Sequence, residues 1–351
     1  MTDPTHGYDV SVGYTFGFVR EMAPDWLDFC AGFAGRRSPR SERAGPFRFL
    51  ELGSGQGFNL CLLAAANPHG EFLGIDFLPE HVAHGQALAE AAGLANVRFD
   101  AGDFVDLAAD WPGAFGLFDY VVLHGVYTWV SPEVRAAVVR CLEHATRPGS
   151  LVYNGYNAQP GWLGSMPFQH IALLLKQTSG RPGEEVFAET IATFDRLLGG
   201  GAATFRILPG LKARVDSAKA RKSNYLVHEF LHEGWSPLWH SEVARDLALA
   251  GFAYAGTATM AEMLLPAALP GPLREAIAAQ TDDTVRQDLQ DFVINQALRR
   301  DLFVREPSAA PPGEALTEIP IHLLARPAAG AALEVRTTFG ELSLPPAGFA
   351  G

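Results

Sequence analysis

From Phe47 onward, short apolar runs alternate with longer segments of helical character. The runs Phe47–Leu52, Glu71–Asp76, Val97–Ala101, Phe118–His124 and Ser150–Tyr156 read as strands. The segments at about Phe58–Ala66, Pro79–Ala92 and Pro132–Thr146 read as the helices between them, and Pro148-Gly149 is expected to close the last one. Strands and helices in strict alternation predict an α/β chain, with a parallel sheet and crossover helices. After Tyr156 the alternation pauses. Residues 157–240 read as mainly helical, with a turn at Gly199-Gly200-Gly201 and an aromatic-rich end, NYLVHEFLHEGWSPLWH. A helix at about Ser241–Leu249 then leads through Gly251 into a short strand, Phe252–Thr257. A second helical stretch spans about 272–298, and Asp301–Arg305 reads as one more strand. The expected architecture is therefore a seven-stranded Rossmann-like sheet, with helical insertions after strand five and between strands six and seven.

These elements suggest four regions. Residues 1–46 form an N-terminal aromatic and helical lid, ending in the basic linker GRRSPRSERAGP. Residues 47–160 form the core, 161–305 a helical insert with the late core strands, and 306–351 a tail rich in Pro, Ala and Gly. The tail holds two weakly strand-like pieces, IPIHLLA and ALEVRTTF, and no internal repeat is visible.

The 351 residues are 48% apolar, enough for a substantial core, with a formal charge of −12. A pI near 5.4 argues against nucleic acid as the main partner, since a phosphate groove needs a net basic face. It leaves a basic, lysine-bearing substrate open. Cys30, Cys61 and Cys141 are odd in number and widely spaced, so neither a disulfide framework nor a zinc pattern is expected. The start, MTDPTHGYDVSVGY, has no signal-peptide pattern. No stretch approaches the ~20 apolar residues of a membrane helix. A cytoplasmic protein without membrane insertion is expected by elimination.

The most informative stretch is FLELGSGQGFN, Phe49 to Asn59. A strand carries Glu51 to its carboxyl end, and Gly53, Gly55 and Gly57 follow at alternate positions. Such glycines let the backbone turn tightly against a ligand before a helix begins. This is the pattern of S-adenosylmethionine (AdoMet) sites; the dinucleotide fingerprint would need glycine at position 58, which is Phe58. Glu51 suits the ammonium of the methionine part, and the N-terminus of the next helix suits its carboxylate. Asp76, which closes the second strand, can accept ribose hydroxyls or cap the helix near Pro79. After strand three, Asp103 suits the adenine amino group and Phe104 its ring; the pair can equally be a turn aspartate beside a core phenylalanine. His124-Gly125 ends strand four, where the methyl-bearing sulfur belongs. The expected cofactor contacts are Tyr14, Glu51, Gly53, Ser54, Gly55, Gln56, Gly57, Asn59, Asp76, Phe77, Gly102, Asp103, Phe104, His124 and Gly125.

On the acceptor side, HGVYTWVSPE follows strand four and YNGYNAQPGW follows strand five. A dry aromatic pocket there would lower a lysine pKa by disfavouring its charged form. Tyr127, Trp129, Tyr156 and Trp162 fit that role, with Asn157 orienting an N–H; Trp129 and Trp162 can equally be packing residues. His124 can act as a base or as a cofactor contact. The catalytic set is therefore expected to be His124, Tyr127, Asn157 and Trp162. No metal is expected: His81 and His84 lack acidic partners in the pattern, and the histidines between Asn224 and His240 follow no standard ligand spacing.

The blocks FLELGSGQGFN, ANPHGEFLGIDFLPEHVAHG, LHGVYTWVSPEVR, YNAQPGW, NYLVHEFLHEGW and LRRDLFVRE resemble those of bacterial class I methyltransferases carrying a methyltransferase regulatory domain. The best-characterised of these are the rickettsial outer-membrane-protein lysine methyltransferases. The resemblance runs from Tyr14 to about Arg305. It implies an AdoMet-dependent protein-lysine N-methyltransferase that releases S-adenosyl-L-homocysteine (AdoHcy), acts on a protein or peptide with an accessible lysine, and is compatible with a homodimer. The helical region near 160–300 would shape access for a polypeptide. A small-molecule methyltransferase and a non-catalytic AdoMet-sensing module are the alternatives.

Overall fold

Seven strands form one mixed sheet in the order β3-β2-β1-β4-β5-β7-β6. They are β1 (Phe47–Leu52), β2 (Gly70–Asp76), β3 (Val97–Ala101), β4 (Phe118–His124), β5 (Thr146–Asn157), β6 (Phe252–Thr257) and β7 (Leu298–Arg305). The first five run parallel, whereas β7 is antiparallel to both β5 and β6. This computed structural model describes residues 17–40, 45–220, 230–306, 333–337 and 340–344.

Alternation along each strand divides the core into two layers. Leu50 and Leu52 of β1 face Leu73, Ile75, Val121 and Leu123 in one cluster. Helices α4 (Phe104–Ala109), α5 (Pro132–Ala145) and α10 (His240–Ala248) pack on that face. Phe47 and Phe49 face the opposite layer, with Phe72, Tyr120 and Tyr153. That layer is covered by α1 (Pro24–Phe33), α2 (Phe58–Ala66) and α3 (Pro79–Ala91). Cys30, Cys61 and Cys141 are buried free thiols within these layers. The order of strands reverses between β1 and β4, and in such sheets the ligand crevice lies at the carboxyl ends of those strands.

Several boundaries differ from the sequence reading. Helix α5 ends at Ala145 and runs directly into β5, so Pro148-Gly149 lies inside the strand. An irregular register between β4 and β5 accommodates the dipeptide, and the Ser150 hydroxyl secures the turn by donating to Phe118 O at 2.7 Å. Phe104–Ala109, left unassigned from the sequence, is a helix capped by Asp103. The helical stretch expected over about 272–298 comprises two helices, α13 (Gly271–Ala278) and α14 (Asp283–Ile294), and β7 begins at Leu298 rather than Asp301.

The first insertion comprises α6 (Met166–Ser179), α7 (Gly183–Gly199), α8 (Thr204–Ile207) and α9 (Pro209–Lys219). It has its own core, in which Phe168 contacts the rings of Phe187, Phe194 and Phe230. The second insertion begins with two single turns, α11 (Met260–Met263) and α12 (Leu265–Ala268), before α13 and α14. Beyond the sheet, β8 (Leu333–Thr337) and β9 (Gly340–Leu344) form an antiparallel hairpin. No helix among the described residues is long and apolar enough to cross a membrane.

Candidate cofactor site

A cavity of about 320 Å³ lies at the switch point between β1 and β4, within the range of small-molecule sites. Its floor is the loop after β1. Gly53, Gly55 and Gly57 have φ of 75°, 53° and 79°, a region that side-chain-bearing residues avoid. Close packing adds a second reason. A Cβ on Gly53 would lie 2.5 Å from Val126 Cγ2, and one on Gly57 would lie 2.7 Å from Gly85 Cα and Phe99 Cζ. Gly57 therefore serves the approach of α3 as well as the turn. The loop is tied down by Gly53 N and Ser54 N donating to Ile75 O, and by Gly55 N donating to Asp76 Oδ2 at 2.8 Å.

Three buried polar atoms of this floor, Glu51 Oε2, Ser54 Oγ and Gln56 Oε1, have no hydrogen-bond partner among the described residues. Buried polar groups are nearly always paired, so three orphans in one cavity mark a place where a ligand supplies the partners. Burial pushes the Glu51 carboxyl up to about 8, against a hydrogen bond from Asn59 and with some help from Asp76. A cation next to Glu51 would reverse that shift. Asp76 Oδ1 accepts from Leu78 N at 3.0 Å and lies 3.2 Å from His81 Nδ1. A carboxylate has about four lone-pair sites, so Asp76 keeps capacity for a further donor. At the end of β4, burial and the nearby Arg300 lower the His124 pKa to about 4, and His124 Nδ1 lies 2.9 Å from the Tyr153 hydroxyl. The ring is neutral at physiological pH and a weak base. Phe77, Phe104, Val126, Trp129 and Val130 give the cavity its apolar walls.

This inventory fits AdoMet. Glu51 Oε2 suits the ammonium, Asp76 the ribose, the start of α2 the carboxylate, and the Phe77 and Phe104 side an adenine ring.

Comparison with known proteins agrees with the geometry. Residues 46–154 match the family described as a methyltransferase domain, and residues 222–305 match a predicted methyltransferase regulatory domain. Segments of the chain thus match a methyltransferase domain and a predicted methyltransferase regulatory domain, and the sheet has the class I methyltransferase fold. An uncharacterized protein of Synechocystis, sll1526, is 33% identical over 311 residues, covering 88% of this chain and 60% of its own length. An uncharacterized protein of Rickettsia prowazekii, RP789, is 24% identical over 286 residues, covering 80% of this chain and 49% of itself. The structure of PKMT2 from Rickettsia typhi in complex with AdoHcy superposes with a TM-score of 0.69 at 22% identity, over 84% of this chain and 55% of that one. The chain thus spans about half to three fifths of the length of these relatives.

Within this fold the expected residues separate into two groups. Glu51, Gly53, Ser54, Gly55, Gln56, Gly57, Asn59, Asp76, Phe77, Phe104, His124 and Gly125 all line the one cavity. Tyr14 lies outside the described residues. Gly102 and Asp103 are not on the wall formed by the described residues. Gly102 N donates to Asp76 O, and Asp103 caps α4 by accepting from Val105 N at 2.7 Å. Of the expected acceptor set, His124 lines this cavity and Tyr127, Asn157 and Trp162 do not. Tyr127 is fully buried in the core, with its hydroxyl 3.3 Å from Asp246 Oδ2. Trp162 donates from Nε1 to Ala297 O at 2.7 Å and packs on Trp235, anchoring the first insertion. Tyr156 donates to Asp301 Oδ2 at 2.6 Å, deep in the sheet. Asn157 is buried at the end of β5, and its Nδ2 has no partner among the described residues. Trp129 does reach the cavity, and its other contacts are the rings of His232 and Trp235.

Sequence reasoning missed Gly17, Val19, Met22, His81, Val126 and Val130 on the wall. The N-terminal contacts are held by Asn59, whose Oδ1 accepts Val19 N at 3.0 Å, a pairing across 40 residues that no local pattern shows. His81 is placed by its position one turn after Asp76; no group of described residues could hold a metal ion.

Proposed function

We propose that the chain is an AdoMet-dependent N-methyltransferase that acts on lysine in a protein or peptide and releases AdoHcy. The observation that carries this reading is the buried Glu51 Oε2, without a partner among the described residues, beside Ser54 Oγ and Gln56 Oε1 in a cavity at the β1–β4 switch point. When bound, AdoMet supplies a methyl group activated by a positively charged sulfur. The residues present would do the rest. Glu51 would hold the methionine ammonium and Asp76 the ribose hydroxyls, and Phe77 and Phe104 would exclude water from the base. His124, neutral at the end of β4, puts no positive charge against the sulfonium. Trp129, backed by His232 and Trp235, offers an aromatic face where an amine is dried and so releases its proton more easily. The catalytic contribution is alignment and exclusion of water. On this reading residues 47–160 bind the cofactor and 161–305 shape the approach of the acceptor. Lysine as acceptor is supported by the block-by-block resemblance to the rickettsial lysine methyltransferases, and the net charge of −12 leaves a basic substrate open.

Two measurements test this. Calorimetry on Asp76→Ala should show AdoMet affinity reduced by about 2–3 kcal/mol, the worth of charge-assisted bonds; unchanged affinity rejects the assignment. Incubation with radiolabelled AdoMet and cell lysate should put label into a protein band. Label confined to small extractable compounds shows a metabolite acceptor, and binding without any transfer shows a sensing module.

A further inference from the structure

A second cavity, of about 230 Å³, opens between the end of α1 and the segment from β6 to β7. It shares no lining residue with the cofactor cavity, so its assignment is independent of the cofactor reading. One side is apolar, formed by Phe33 and Ala34 of the α1 end, Met263 and Ile294. The other is polar, formed by Glu262, Gln287, Asp291 and Arg299, all within the residues that match the predicted regulatory domain.

The polar side is short of positive charge. Arg299 donates from Nη1 to Asp291 Oδ1 at 2.6 Å and from Nε to both oxygens of Asp301, so one guanidinium serves two buried carboxylates. Glu262 adds a third acid, accepting from the Thr257 hydroxyl at 2.7 Å and from the Gln296 amide. Asp291 is only 2% exposed and lines the cavity, yet its Oδ2 has no hydrogen-bond partner among the described residues. A buried carboxylate oxygen without a donor carries an uncompensated desolvation cost, and burial outweighs Arg299 in pushing this carboxyl up to about 7. The missing partner is a hydrogen-bond donor that also brings a positive charge.

We propose that this cavity is a second ligand site, which takes a small primary ammonium compound whose charged end donates to Asp291 Oδ2 and whose apolar body lies against Phe33 and Met263. The site joins α1 to the regulatory segment, and the chain just ahead of α1, at Val19 and Met22, forms part of the cofactor cavity wall.

The test is a titration of the full chain at pH 8 with n-butylammonium, n-butanol and butyrate, monitored by ligand-observed NMR. The ammonium probe should bind at least tenfold more tightly than the neutral or the anionic one, and Asp291→Asn should remove that preference. Because Asp291→Asn also takes a partner from Arg299, a second variant is needed. Ala34→Trp, at an exposed position on the cavity mouth, should weaken ammonium binding at least tenfold while the melting temperature stays within a few degrees. Equal binding of the three probes, or ammonium binding unchanged in Ala34→Trp, overturns the proposal.

Discussion

The ends of β1 and β4 and the Asp301 cluster beside β7 bury their polar groups in opposite ways. At the carboxyl ends of β1 and β4, the buried atoms Glu51 Oε2, Ser54 Oγ and Gln56 Oε1 have no partner among the described residues. Beside β7, Asp301 is more deeply buried and fully engaged. It accepts from Arg299 Nε and from the Tyr156 hydroxyl, and His240 Nδ1 lies 2.9 Å from Oδ2. The titrations differ accordingly. Burial acts on both carboxyls; it carries Glu51 up to about 8, whereas Arg299 and His240 overcome it and hold Asp301 below the usual carboxylate range. Burial by itself therefore does not separate scaffold from site. Burial without partners on a cavity wall does, because a ligand entering that cavity can supply the missing partner.

This contrast is open to attack from both sides. The largest effect is expected in the Arg299 network. Arg299→Met removes the guanidinium that pairs with both Asp291 and Asp301 and should cost about 3–5 kcal/mol, read from the urea unfolding midpoint. A loss below about 1 kcal/mol would mean that the network is not structural. Next is the loop packing at the cofactor end. Gly57→Ala forces a positive φ and a clash with Gly85 and Phe99, with an expected loss of about 2–4 kcal/mol in the same measurement.

Glu51→Gln should act with the opposite sign on stability. Folded Glu51 keeps its proton up to about pH 8, while the unfolded chain loses it near 4.5. Raising the pH across that window therefore withdraws stability from the ligand-free protein, and Glu51→Gln should remove the decline. The same proton must leave when the AdoMet ammonium pairs with Glu51, so wild-type affinity should rise by up to about tenfold per unit from about pH 6 to 8. A flat calorimetric profile would dissociate Glu51 from the ammonium. The smallest effect belongs to Tyr127→Phe, which removes one hydroxyl contact and should cost about 1 kcal/mol with AdoMet affinity unchanged. A fall in affinity would return Tyr127 to the site.

Much of the fold was legible because buried parallel strands announce themselves as continuous apolar runs between helices. β1, β3 and β4 fall on their expected residues. The start of β7 was hidden because Arg299 and Arg300 look solvent-facing until α14 brings Asp291 to neutralise one of them. Pro148-Gly149 read as punctuation because a local pattern cannot show the bulged pairing that absorbs it. At the site, the acid and glycines after β1 were readable since their conformational demand is local. Tyr127 and Trp162 were not, because an aromatic ring has the same local signature in a pocket wall and in a core. Their deciding partners, Asp246 and Ala297, lie 119 and 135 residues away.

The sequence alone determined where the chain turns, which acids stand at strand ends, and that the glycines after Glu51 admit a left-handed backbone. These are properties of neighbouring residues, governed by sterics within a few bonds. Only the tertiary structure decided which buried polar atoms find partners and which do not. That distinction rests on groups tens to hundreds of residues apart meeting across the sheet, and hydrogen bonding acts over ångströms of space, not along the chain.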